Sequence, residues 1–259
     1  MSARHEPPVL ITIPISHYCE KARWALDRAG VAYQEQAHLQ LIHRLAVRRA
    51  GGGTTVPVLV CGDRVLGESA DIVDAADAEA PPERRLYPDD PAAAAEIREL
   101  ERDFDENLGP HGRRWMYHEI RGRRDLALAY ACTGVPAWQR LSLQLIYPAA
   151  AWAIDRYLDI DAASASQSET EVGTVFDTVA ERLSDGRAYL CGDRFTAADL
   201  TFAALAASVL MPPEYGVPLP QPDDLPAAMA KKVRQFRAHP AGAHALAMFR
   251  DERRPGPAL

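Results

Sequence analysis

The chain has 259 residues, of which 47% are hydrophobic, and it carries a formal net charge of −7. This length and composition exclude a disordered chain and are sufficient for two ordinary domains with apolar cores. The acidic balance argues against a sequence-independent nucleic-acid partner, which requires a basic surface.

The chain begins with a pattern typical of strand, turn and helix. Residues 9–13 are apolar and β-branched, as in a buried strand, and helical spacing follows from Cys19 to Ala29. A helix entered at Ser16 directs unpaired N–H groups and the positive end of its dipole at the turn, which favours a thiolate there. The Ser16 hydroxyl either donates a hydrogen bond to that thiolate or only caps the helix. Cys19 is either a reactive thiol or a small core residue.

A second group of strands follows. Residues 54–60 predict a strand with Pro57 near its start, and a turn at residues 62–63 returns the chain as a second strand over residues 64–66. A helix then opens at Glu68 and Ser69 and continues to Asp77.

Taken in order, Ser16-His17-Tyr18-Cys19, Val56-Pro57 and Glu68-Ser69 resemble the thioredoxin-like domain of the cytosolic glutathione transferases. The resemblance implies a cis Pro57 and a Val56 backbone that binds the cysteinyl part of glutathione. It also implies that Glu68 and Ser69 bind the γ-glutamyl end, since a helix start favours its carboxylate. The family places basic side chains for the glycine carboxylate before the proline strand. The candidates here are Arg44, Arg48 and Arg49, of which we take Arg49.

The resemblance places Ser16 where serine-type transferases have their activating hydroxyl, and Cys19 at the second cysteine of the glutaredoxin C-P-Y-C pattern. This chain has S-H-Y-C instead, so the first cysteine nucleophile is missing and disulfide reduction by two thiols is disfavoured. His17 adds a hydrogen-bonding group with a pKa near neutral, or is simply an exposed residue of the first turn. Ser16, His17 and Cys19 are therefore the catalytic candidates.

The pattern changes near residue 80. A proline-rich, charged segment covers residues 81–91, and only helical patterning is found from Ala92 to about Arg250. We expect a thioredoxin-like α/β domain over residues 1–80, a linker over residues 81–91 and an all-helical domain over residues 92–259, which is also the transferase architecture. Thr196 and Asp199 predict a capping box that begins a buried helix running to about Met211.

The family binds its second substrate between the domains, where residues 108–119 are expected to face the cleft. Arg113, Trp115 and Tyr117 are candidates for binding an aromatic or anionic co-substrate; the alternative is a core Trp115 beside solvated arginines. We expect no metal site, because His118 and Glu119 are adjacent and point apart on a helix.

Residues 1–8 lack the apolar core of a signal peptide, and the apolar stretch from Leu145 to Ile154 is too short to span a bilayer. We expect a cytoplasmic homodimer that has no nucleic-acid or membrane partner. The favoured function is a detoxifying glutathione transferase, with glutathione as co-substrate, that acts on a small hydrophobic electrophile. The alternatives are a glutathione-dependent redox enzyme that uses Cys19 and a non-catalytic, transferase-like binding protein.

Overall fold

The structure is a computed structural model that describes residues 6–254. A four-stranded sheet forms from β1 (Val9–Thr12), β2 (Gln34–Ala37), β3 (Val58–Cys61) and β4 (Arg64–Leu66). The spatial order is β2-β1-β3-β4, with β1 parallel to β2 and the other neighbours antiparallel. The strand before Ser16 and the β3–β4 hairpin confirm the sequence predictions, although β3 begins at Val58 rather than Thr54.

Helices cover both faces of the sheet, because successive strand residues point to opposite sides. Leu10 and Leu59 belong to the core that includes α1 (His17–Ala29) and α3 (Ser69–Glu79). Ile11 and Val58 pack instead with Val47 of α2 (His43–Arg49). This arrangement confirms a thioredoxin-like first part, in which β2 and α2 are elements that the sequence patterns did not predict.

From Pro91 onward the regular structure of the described residues is helical, as predicted. The helices are α4 (Pro91–Asp103), a π-helical turn (Phe104–Leu108), α5 (Gly109–Glu119), α6 (Arg124–Ala131), α7 (Ala137–Leu158), α8 (Ala162–Arg182), α9 (Ala197–Leu210), α10 (Ala227–Ala238) and α11 (Pro240–Glu252). Short 3₁₀ turns cover Pro82–Arg84 and Pro222–Asp224. Within residues 6–254, no helix has both the length and the apolar character needed to cross a membrane.

The central helix of this part is α9, in which every residue is buried. Asp199 accepts hydrogen bonds from the Thr196 backbone N–H at 3.0 Å, the Thr196 hydroxyl at 2.9 Å and the Leu190 N–H at 2.7 Å. The predicted capping box is therefore confirmed, and the same carboxylate also binds the segment that precedes the helix.

Polar contacts fix α1 against the helical part. The buried Lys21 pairs with Asp105 at 2.8 Å and with Glu101 at 3.3 Å. The Tyr18 hydroxyl donates to the Asp105 carbonyl at 2.7 Å. A buried charge that loses its partner is strongly destabilising, so these contacts hold the start of α1 beside the π-helical turn.

Candidate active site

A cavity open to solvent lies at the N-terminus of α1, and its empty space, including the open mouth, is about 600 Å³. Its walls come from the β1–α1 turn, the loop after β2, the segment before β3, and α5. The predicted site residues that it brings together are Ser16, His17, Val56, Arg113 and Tyr117. The remaining predicted residues lie outside this lining.

Ser16 is the N-cap of α1, with extended backbone at φ −70° and ψ 119°. Its Oγ accepts a hydrogen bond from the Cys19 N–H at 3.4 Å, and its own N–H donates to the Ile13 carbonyl at 3.0 Å. Accepting this bond leaves the hydroxyl able to donate one, and the Cys19 thiol is an acceptor within its reach. The hydroxyl and the N-terminal amides of α1 therefore both favour an anion in the cavity.

His17 is buried, with a side chain only 3% exposed. Burial, together with the nearby Arg113 guanidinium, lowers the pKa of His17 to about 3. The imidazole is consequently neutral at physiological pH, and its Nε2 has no hydrogen-bond partner among the described residues. The expectation of a pKa near neutral is wrong, because the side chain lies in the protein interior rather than at an exposed first turn.

Cys19 is fully buried and lies outside the cavity lining. Burial raises the pKa of its thiol to about 11. The thiolate needed for nucleophilic chemistry is therefore disfavoured, and the alternative of a small core residue describes this cysteine. This corrects the catalytic role expected for Cys19.

The Val56–Pro57 peptide bond is cis, as the resemblance implies. Val56 lines the cavity, and Pro57 is buried just before β3. Glu68 is the N-cap of α3 and is exposed, whereas Ser69 is the first helical residue and is buried. Burial raises the pKa of Tyr18, and the Glu68 carboxylate is close enough to add to that rise.

The three candidate arginines lie on α2, and none of them is part of the cavity lining. Arg48 and Arg49 are exposed and do not line it. The Arg44 guanidinium carbon lies 4.7 Å from the ring centroid of Tyr157, which does line the cavity. The Nε of Arg44 is buried without a hydrogen-bond partner in the described part of the chain. Arg44 therefore contacts a wall of the cavity, whereas the predicted Arg49 is exposed.

The candidates on α5 divide between cavity and core. Trp115 is 1% exposed and packs edge-on against Phe236 with ring centroids 5.8 Å apart, so its predicted substrate-binding role is wrong. Arg113 lines the cavity and is the one permanently charged side chain in the lining that the structure describes. The Tyr117 hydroxyl donates to Gln40 Oε1, and burial raises the pKa of Tyr117 to about 12. Tyr117 therefore stays protonated and links α5 to the loop after β2.

A second, apolar cavity, also open to solvent and with about 810 Å³ of empty space including its mouth, adjoins the first and shares Ile13, Ile15, Gln40 and Tyr117 with it. Much of its remaining wall comes from α6 and α7, through side chains that the sequence analysis missed: Ala127, Tyr130, Leu143, Tyr147, Ala150 and Ile154. The signal was present on α7, where the last four recur at helical spacing. The site therefore combines an end that favours anions with an apolar chamber.

Two family models match the chain in consecutive order. The model for the glutathione S-transferase N-terminal domain matches residues 10–84, and the model for the glutathione S-transferase C-terminal domain matches residues 139–232. The chain belongs to the glutathione transferase superfamily. The first match contains the whole set from Ser16 to Ser69, and the second contains the buried helix α9 of this superfamily member.

Solved structures of glutathione transferases share the fold of this superfamily member. One from Xanthobacter autotrophicus is 18% identical, with a TM-score of 0.58 over 97% of this chain and 96% of that chain. A theta class enzyme from Xanthomonas axonopodis pv. citri, solved with glutathione bound, is 21% identical, with a TM-score of 0.54 over 93% and 97%. One from Methylobacterium radiotolerans, in complex with glutathione sulfonate, is 18% identical, with a TM-score of 0.56 over 98% and 97%. No curated protein matches the sequence.

Proposed function

We propose that this superfamily member binds glutathione and ionises its thiol at the N-terminus of α1 for attack on a small apolar electrophile. The observation that carries the proposal is the cavity lined by Ser16 and Arg113 at the amide-rich start of α1. All three groups favour an anion, and no carboxylate opposes them in the lining formed by residues 6–254. The relatives solved with glutathione and with glutathione sulfonate support glutathione as the co-substrate.

The rest of the tripeptide is assigned to groups around the cavity. The cysteinyl part binds the Val56 backbone, which lines the cavity before the cis Pro57. The γ-glutamyl carboxylate binds Ser69 at the start of α3, where helix amides favour negative charge, and its ammonium binds Glu68. Arg44 is assigned to the glycine carboxylate, since its Nε is buried and has no partner among the described residues.

The expected pKa shift can be worked from the two contributions at α1. A hydrogen bond from Ser16 and the helix terminus each stabilise the thiolate by about 1 kcal/mol, and one pKa unit corresponds to about 1.4 kcal/mol. The thiol pKa of bound glutathione therefore falls by about one to two units from about 8.5. The thiol proton passes to solvent, the sulfur forms a bond to the electrophilic carbon, and the leaving group departs with its electron pair.

The electrophile is assigned to the apolar cavity beside the thiolate. Leu143, Ala150 and Ile154 of α7 give that cavity an apolar wall, and the two cavities meet at Ile13, Ile15, Gln40 and Tyr117. The redox alternative through Cys19 is not proposed, because this thiol is buried and its pKa is raised to about 11.

A pH titration of the ultraviolet absorbance of bound glutathione thiolate tests the proposal. Ser16→Ala is expected to raise the thiol pKa by about one unit, whereas Ser16→Thr keeps the hydroxyl and the wild-type value. Urea unfolding of both variants accounts for the loss of the α1 cap. An unchanged pKa in folded Ser16→Ala contradicts the role of Ser16, and a calorimetric absence of glutathione binding to the wild type contradicts the whole proposal.

Three further expectations are also proposals. We propose a cytoplasmic location, a homodimeric assembly, and domains that divide at the linker over residues 81–91. The absence of strands after Leu66 in the described residues supports that division, because the sheet lies entirely before the linker. Sedimentation equilibrium of the full chain tests the dimer directly.

A further inference from the structure

The Ser16 side chain extends from a backbone that is held on both sides. The peptide group between Ile15 and Ser16 is planar, so hydrogen bonds at its two ends fix its orientation. Its N–H donates to the Ile13 carbonyl at 3.0 Å, and its carbonyl, on Ile15, accepts a hydrogen bond from the Tyr215 hydroxyl at 3.2 Å. In the next peptide group, the Ser16 carbonyl accepts a hydrogen bond from the Glu20 N–H at 2.9 Å. These bonds therefore fix the φ and ψ angles of Ser16.

Tyr215 reaches this turn from the segment between α9 and α10, and it is separated from Ile15 by 200 residues of the chain. This segment is itself held at two points. The Arg237 guanidinium donates to the Met211 carbonyl at 2.6 Å, and the Gly216 N–H donates to the buried Glu20 carboxylate at 3.1 Å. A hydroxyl on such a rigid support can hold the group that it binds in one position.

Arg23 holds the preceding peptide group of the same turn. Its Nη2 donates to the Pro14 carbonyl at 3.1 Å, and its guanidinium also pairs with Glu20 at 3.1 Å and with Glu35 at 2.8 Å. Removing this buried charge would break both ion pairs and is strongly destabilising. Tyr215 is neutral and binds the turn through one hydroxyl, so it allows the support of the turn to be tested without that loss.

We infer that Tyr215 is a positioning residue for Ser16, because its hydroxyl fixes the peptide group that directs the Ser16 side chain toward the cavity. Ile15 and Ser16, on the two sides of this peptide group, both line the cavity proposed for glutathione, whereas Tyr215 lies outside that lining. Tyr215 therefore acts on the reacting sulfur only through the backbone of Ser16. The inference rests on the proposed function, since it requires a thiolate that Ser16 stabilises.

Tyr215→Phe removes the hydroxyl and keeps the ring, which packs near Phe249 with ring centroids 6.3 Å apart. The peptide group then loses the bond at its carbonyl, so the Ser16 hydroxyl is in position to bind the sulfur for less of the time. In the titration of thiolate absorbance, the thiol pKa of bound glutathione should rise by about half a unit, a roughly threefold smaller acid dissociation constant. The affinity for S-methylglutathione, which has no ionisable thiol, should be unchanged.

Tyr189→Phe is the matched control. The Tyr189 hydroxyl also donates a hydrogen bond of 3.2 Å, to Glu252. Glu252 pairs with Arg28 in the last turn of α1, about 18 Å along the helix axis from Ser16, so this variant should leave the thiol pKa unchanged. Tyr215→Phe combined with Ser16→Ala should give the same pKa as Ser16→Ala alone, because the hydroxyl on which Tyr215 acts is then absent.

Three results would overturn the inference and leave the proposed function intact: a wild-type thiol pKa in Tyr215→Phe, an equal rise in Tyr189→Phe, or a further rise when Tyr215→Phe is added to Ser16→Ala. A loss of affinity for S-methylglutathione in Tyr215→Phe, equal to the change in thiol ionisation, would also overturn it, because it would report a general loosening of the site.

Hydrogen exchange of the ligand-free protein provides a measurement that needs no glutathione. Exchange over residues 13–19 should be at least about threefold faster in Tyr215→Phe than in the wild type, and an unchanged rate overturns the inference. If the wild type binds no glutathione, the proposed function fails, and this role of Tyr215 fails with it.

Discussion

Gln139 connects α7 to the loop that forms a wall of both cavities. Its side chain is fully buried; Oε1 accepts a hydrogen bond from the Leu39 N–H at 2.9 Å, and Nε2 contacts His38 Nδ1 at 2.9 Å. Burial lowers the pKa of His38, so its neutral ring provides an acceptor for that amide. Leu41, in the same loop, has φ +74°, an unfavourable conformation for a residue with a side chain. α7 therefore holds this loop in place.

Replacing Gln139 with alanine should release the loop. The buried Leu39 N–H loses its acceptor, which costs about 1–3 kcal/mol, and the second hydrogen bond contributes about 1 kcal/mol, for a total of about 2–4 kcal/mol. If the loss acts on local opening, amide exchange at Leu39 should accelerate by a factor of roughly 30 to 1,000. We also expect a higher KM for the apolar electrophile, since Leu39 lines its cavity, with the thiol pKa of bound glutathione unchanged.

Gln144→Ala is the matched control, because Gln144 is the same residue type on the same helix but is exposed. Its side chain makes no hydrogen bond within residues 6–254, and its backbone carbonyl accepts one from Arg124 at 2.7 Å, so truncation should change stability by less than about 0.5 kcal/mol. Hydrogen exchange followed by mass spectrometry, and urea unfolding, measure both variants. If Gln139→Ala behaves like Gln144→Ala at Leu39, the proposed link between α7 and the loop is refuted.

Three further predictions concern stability. Asp199→Ala leaves the buried N–H groups of Leu190 and Thr196 without an acceptor, and should lower the free energy of unfolding in urea by about 2–5 kcal/mol. Asp161→Ala removes the exposed capping box of α8 and should lower it far less. The pKa of His17 is lowered to about 3 in the folded protein, so its ring stays neutral there while it becomes protonated in the unfolded chain below pH 6.5. The free energy of unfolding should therefore fall by at most about 1.4 kcal/mol per pH unit as the pH decreases from 6.5 toward 3, and His17→Asn should flatten that slope. Gly109→Ala places a methyl group against the Tyr18 hydroxyl and should cost at least about 1 kcal/mol in thermal unfolding, whereas Gly173→Ala, which meets open space on α8, should be neutral or stabilising.

Most of the first part of the fold was predictable because its signals are local. The apolar run before Ser16, the turn at Gly62 and the start of α3 each depend on a few neighbouring residues. β2 was missed because its sequence, QEQA, has no apolar alternation; its Glu35 instead accepts hydrogen bonds from Arg23 and Thr12. A strand held by such long-range polar contacts leaves no periodic pattern.

Some site residues were wrongly predicted because their role depends on which side of a helix faces the protein interior. Cys19 and Trp115 each had a functional and a core interpretation, and the helical pattern alone does not distinguish them. The choice between Arg44 and Arg49 depends on Tyr157, which is more than a hundred residues away in the chain. The lowered pKa of His17 could not be predicted, because it depends on burial and on Arg113 of α5, which is distant in the sequence.

The helix α7 shows why a continuous apolar pattern has more than one interpretation. In the sequence alone, its residues from Leu145 to Ile154 suggest a membrane span that is too short to cross a bilayer. In the structure, Ile154 lines the electrophile cavity, while Leu145 and Trp152 face away from it and are exposed. Leu145→Glu should therefore leave the thiol pKa of bound glutathione at the wild-type value, whereas Ser16→Ala should raise it by about one unit. A shift of that pKa in folded Leu145→Glu would contradict the separation between the exposed side of α7 and the site.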